Sequence, residues 1–143
     1  MKGDLKRTSV LFSLMKILVF GNPLVKEDSL AFKLLGPLAS KFPEVEFKEF
    51  DSAENLESEG RDLFILDVAK GIDKVTLLNG LDDIEITHAY SMHDFDLSVT
   101  LRILKKIKVI DSVRIIALPV DYDEKKALKE AIKIISILLS KSG

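Results

Sequence analysis

A three-layer α/β/α fold with a mostly parallel, doubly wound-like sheet is predicted by three features of the sequence. Short apolar runs such as KILVF and DLFILD stop abruptly at glycine or at an acidic residue, as strands buried on both faces do. Stretches of helical periodicity lie between these runs, and alternating strands and helices build βαβ units with helices on both sides of one sheet. One short run, Lys74–Gly80, breaks the alternation and points to a single antiparallel strand.

Each element has its own signal. Lys16–Phe20 is a continuous apolar run closed by Gly21-Asn22-Pro23. From Ser29 to about Phe42, Leu30, Leu34 and Leu38 recur at helical spacing, and Gly36-Pro37 predicts a kink or an early end. Val45–Phe50 alternates and reads as a strand with one wetter face. DSAENLESEG is a loop or one helical turn. Asp62–Gly71 is a second buried strand, expected to end at Asp67, and Ile84–Ala89 is a further candidate strand. SMHDFDLSVTLRILKKIK is helical through Leu97, Leu101 and Leu104, with Ser91 or Asp94 as the expected cap and lysines favouring its C-terminal end. Ser112–Val120 is the third buried strand. Leu128, Ala131, Ile132, Ile135, Leu138 and Leu139 give the closing helix an apolar face, and it starts at Asp123-Glu124, acids that suit a helix N-terminus.

Composition bounds the rest. At 143 residues the chain fits one domain, and 47% hydrophobic with 31% charged residues is ordinary for a globular protein. A net charge of -2 without a basic run argues against a nucleic-acid surface. No apolar stretch reaches the ~18 residues that span a membrane. With no cysteine, disulfides, thiolate metal sites and a cysteine nucleophile are excluded. Residues 1–14 hold an apolar part too short for a signal peptide and no small-residue cleavage site. They are expected to be an extension, a short extra element or the product of a misplaced start, before a single domain over residues 15–143. A cytoplasmic monomer is expected.

Open α/β sheets bind ligands beyond the carboxyl ends of their strands. The predicted elements bring Asn22, Glu27 and Asp28 to that edge after the first strand, Asp51 after the next, Asp67 at a strand end, and His93 at a helix start. Carboxylates with an imidazole suit hard-to-borderline metal ions or general acid–base chemistry. Taken singly, Asp28 fits a helix first turn, Asp51 a turn, and His93 a surface or capping position; His88 reads as structural. Asp67 is harder to reduce to a cap, because it follows Phe64-Ile65-Leu66 directly and a buried carboxylate needs a partner.

The loop GNPL-x-x-E-D, the run FILDVAKG and S-x-H before a helix, in that order, resemble the hydrogenase maturation proteases. These are aspartyl-type endopeptidases that process the large subunit of nickel–iron hydrogenases. The likeness covers about Lys16 to Leu139, and it looks like a divergent member. Phe20 stands where the family loop has its first glycine. Glu27 stands where aspartate is usual, Ser29 and Ala31 replace small or glycine positions, and Ser52-Ala53 replace a Gly-Gly after Asp51. The resemblance implies that Asp28, Asp67 and His93 contact metal and carry catalysis, with Asn22, Glu27 and Asp51 handling substrate. The metal it implies is nickel carried by the substrate, the partner is the nickel-loaded large-subunit precursor, and no organic cofactor is needed. The same fold could instead carry a non-catalytic precursor- or metal-binding module. A receiver-like phosphoacceptor domain would also place acids here, but its lysine is missing from Ala117-Leu118-Pro119-Val120-Asp121. The G-N-P turn is not a dinucleotide fingerprint, and no G-x-S-x-G elbow or H-E-x-x-H helix is present.

Overall fold

The computed structural model describes residues 15–21, 29–50, 55–80, 82–83, 90–91 and 96–142. The elements in chain order are β1 (Lys16–Phe20), α1 (Leu30–Lys41), β2 (Glu46–Phe50), a 3₁₀ turn (Leu56–Glu59), β3 (Asp62–Lys70), β4 (Thr76–Leu78), β5 (Tyr90–Ser91), α2 (Asp96–Lys106), β6 (Ser112–Pro119) and α3 (Glu124–Ser142). The sheet order is β2-β1-β3-β6-β4, with β5 paired to β3. β2, β1, β3 and β6 run parallel, and β4 lies antiparallel to β6.

Helices cover both faces, so the central strands are apolar on both sides. One core joins Ile17, Val19, Leu66, Val68, Ile116 and Leu118 to α1 and α3 through Leu34, Leu38, Ala131 and Ile135. The other joins Leu18, Phe20, Leu63, Ile65, Ile115 and Ala117 to α2 through Leu101 and Leu104, with Leu56 of the 3₁₀ turn filling it. Neighbouring strand residues alternate faces. Asp67 therefore shares the α2 face with Ile65 and Ala69.

Charged side chains fasten the amino edge. Glu59, at the end of the 3₁₀ turn, accepts from Lys16 of β1 at 2.6 Å and Lys48 of β2 at 2.8 Å. Burial pushes its carboxyl up, and the two lysines together outweigh that and hold it below its usual range. Arg61 donates from Nε and Nη2 to Asp111 at 2.9 Å each and from Nη2 to the Lys108 carbonyl, tying the α2–β6 turn to the start of β3.

Several expectations are corrected here. β3 does not end at Asp67 but runs to Lys70, because β6 stays paired with it through Ala69↔Pro119. Ser91 does not cap α2; it pairs with Ala69 in β5, which gives the sheet a second antiparallel contact where one was expected. α1 begins at Leu30 with Ser29 at its N-cap, and Asp28 lies outside the described residues. Ile84–Ala89, His88 and Asp94 lie outside the described residues, as do residues 1–14.

α1 also passes through Gly36-Pro37 without ending. Proline removes the bond to the carbonyl four residues back, here Lys33, and its ring crowds a preceding Cβ. Gly36 has no Cβ, and Lys33, Gly36 and Pro37 are all exposed, so the freed carbonyl faces water. Pro37→Ala should raise stability by up to about 3 kcal/mol in urea denaturation. Gly36→Ala should gain nothing while Pro37 is present, and about 1 kcal/mol once it is replaced, since no spatial neighbour lies within 4 Å of an added Cβ. Equal gains from Gly36→Ala in both backgrounds would contradict this explanation.

Candidate functional site

The carboxyl edge is built around the far end of β3. β1 last pairs with β3 at Val19↔Leu66, so Asp67 is level with Phe20, the final residue of β1. Beyond that level β3 continues, and the side that β1 leaves is taken by β5, with Ala69↔Ser91 and Lys70↔Tyr90 in register. Asp67 is only 2% exposed, and its Oδ1 is sealed from solvent. It is engaged in a polar interaction there, as a carboxylate among Ile65, Ala69 and Ala117 requires.

Asn22, Glu27, Asp28, Asp51 and His93 lie outside the described residues. Their described neighbours all belong to this edge. Gly21 leaves β1 with φ 152°, a conformation that glycine adopts without penalty. Ser29 begins α1, which carries the chain back from the end of β1 towards the start of β2. Phe50 ends β2 opposite Phe20, and their rings lie 5.6 Å apart. His93 is two residues beyond Ser91, and β5 runs antiparallel to β3, so the chain leaves β5 in the direction of Asp67.

α1 and α2 lie on opposite faces of the sheet. A group brought by α1 can therefore meet Asp67, which is on the α2 face, only past the ends of the strands. Among the described residues, no three His, Asp or Glu side chains gather to hold a metal ion, and Asp67 is the one member of the expected set that is described.

A second polar cluster at the same edge was not anticipated from sequence. The Tyr122 hydroxyl donates to Glu130, with Oε1 and Oε2 at 2.8 and 2.9 Å. Glu130 Oε1 also accepts the Val75 N–H at 3.1 Å. The carboxylate thereby ties the β3–β4 connection to α3, beside a cleft of about 440 Å³ lined by Gly71, Ile72, Asp73 and Thr76. Asp123 caps α3 by accepting the Lys126 N–H at 2.9 Å. Tyr122 and Glu130 are visible in the sequence as a residue before a helix and one near its start. Their link to Val75 joins chain segments 55 residues apart, and no periodicity carries it.

No family model and no curated protein matches the chain. Among solved structures, that of an uncharacterized protein from Wolinella succinogenes is similar, with 16% identity and a TM-score of 0.48 over 87% of this chain and 98% of that one.

Burial, then Glu130, then Asp73 and Asp123 push the Tyr122 hydroxyl up to about 12. Burial raises the Glu130 carboxyl, but the Tyr122 and Val75 donors with Lys126 and Lys74 hold it below its usual 4.5. Tyr122 thus contributes stability that is complete below pH 10.0 and lost as pH rises through about 12. Glu130 contributes stability present above pH 4.5 and lost as pH falls through its lowered value. In a Tyr90→Phe background, phenolate absorbance should report Tyr122 alone, rising near pH 12. Glu130→Gln should move the rise part of the way back towards 10, and a rise near 10 before that change would refute the cluster's role.

Proposed function

We propose that the chain is a hydrogenase maturation endopeptidase that removes a C-terminal extension from the nickel-loaded large-subunit precursor of a nickel–iron hydrogenase. The observation that carries the proposal is a carboxylate, Asp67, buried level with the end of β1, where the neighbours of every other motif residue also gather. The order GNPL-x-x-E-D, FILDVAKG and S-x-H supplies the family reading.

In this reading Asp28, Asp67 and His93 engage the nickel that the precursor brings, through oxygen and nitrogen donors that nickel accepts. The precursor's own ligands keep the ion, so the enzyme reads it as part of the substrate. Asn22, Glu27 and Asp51 handle the precursor around the scissile bond. A carboxylate or a metal-polarised water starts hydrolysis. Water adds to the peptide carbonyl, the C–N bond breaks, and the proton passes to the leaving amine. Absence of cysteine restricts the nucleophile to water or an oxygen side chain. The expected setting is the cytoplasm, with a monomeric enzyme. No helix among the described residues is long and apolar enough to cross a membrane.

The test is incubation with a nickel-loaded precursor, followed by the mass of the large subunit. The wild-type chain should release the extension. Asp28→Ala, Asp67→Asn and His93→Ala should each slow cleavage at least ~100-fold, the lower range for loss of an acid–base group, with melting temperatures of the Asp28 and His93 variants little changed. Full cleavage by the Asp28 and His93 variants would sink the assignment. Binding of precursor without cleavage by the wild type would identify a non-catalytic module instead.

A further inference from the structure

Among the described residues, α2 and the turn after it carry an exposed apolar ridge. Four large hydrophobic residues are exposed among those described, and three of them, Val99 (47%), Ile103 (53%) and Ile107 (61%), follow one another along α2 and the turn after it. Their spacing of four places them on one ridge, opposite Leu101 and Leu104, which pack on the sheet. Single exposed aliphatics need no explanation, but an aligned row is a contiguous patch.

Cations lie along one side of the row. At 100° per residue, Lys106, Arg102 and Lys105 fall successively round the same flank of the helix. These three side chains, with Asn79, Gly80 and Asp82, line a cleft of about 330 Å³ beside the ridge. The surface is thus an apolar row next to a mainly cationic trough.

We propose that this face docks an acidic amphipathic helix of a protein partner. The partner's apolar residues, four apart, would lie on Val99, Ile103 and Ile107, and its carboxylates would enter the trough. Charge complementarity selects this occupant. An anionic membrane is disfavoured by the net charge of -2 and by Asp82 in the trough. A second copy docking through the outer face of α3 is disfavoured by Lys125, Lys126, Lys129 and Lys133, which are exposed there. The inference is independent of the peptidase reading, because its argument uses no motif residue.

Fluorescence anisotropy of a designed helical peptide tests it. The peptide carries leucines four residues apart with glutamates along one flank, and its control has lysines in their place. The glutamate peptide should bind saturably and more weakly as salt rises. Ile103→Glu should weaken it at least about tenfold, as loss of a central contact does, and Lys106→Glu should also weaken it. Circular dichroism checks that the variants fold, and Ile107→Ser replaces Ile103→Glu if that variant does not. Equal binding of the lysine peptide, binding only to phosphatidylserine vesicles, a dimer abolished by Ile103→Glu, or no binding of the glutamate peptide would each overturn the proposal.

Discussion

β3 is covered on both faces by helices and paired along both edges, and the placement of the other strands follows from it. Eight successive pairs join it to β6, from Asp62↔Ser112 to Ala69↔Pro119. On its other edge β1 pairs first and β5 afterwards. A strand so enclosed has to be apolar on both sides, and Leu63, Ile65, Leu66 and Val68 satisfy that demand with 2% exposure or less. Asp67 breaks the rule in the same strand. A carboxyl group at that depth costs free energy that its surroundings must offset, and folds tend to accept such a cost where the group has work to do.

The handover from β1 to β5 gives Asp67 its setting. β1 stops at its level, and the chain turns away at Gly21. β5 then pairs Tyr90 and Ser91 with the last residues of β3. The two cores keep α1 and α2 apart, one on each face, so groups from the two helices can meet only past the strand ends. On the proposed reading, a substrate arriving at this edge meets groups from both faces at once. The Glu130 cluster stiffens the neighbouring connection by holding Val75 to α3.

Local patterns carried most of the fold. β1, β6 and α3 follow directly from runs such as KILVF and from the recurrence of Ala131, Ile135 and Leu138, because each pattern is set by neighbours in sequence; Leu128, Ile132 and Leu139 of the same expected face are half-buried, and Ala127, which was not expected there, is buried. The end of β3 did not follow, since it depends on β5 and β6, which are distant in sequence. The passage of α1 through Pro37 depends on exposure, which the local sequence does not encode. Within the candidate site, Asp67 was legible because a carboxylate after Phe-Ile-Leu contradicts the pattern around it. The remaining members rested on motif order, and the Tyr122–Glu130–Val75 link had no local signal at all.

The most direct measurement is an anomalous-difference map from crystals soaked in nickel or cadmium, which needs no precursor. A site assembled at the end of β3 requires one peak shared by Asp28, Asp67 and His93. Well-ordered side chains of these three residues standing too far apart to share an ion, with no peak between them, would contradict it.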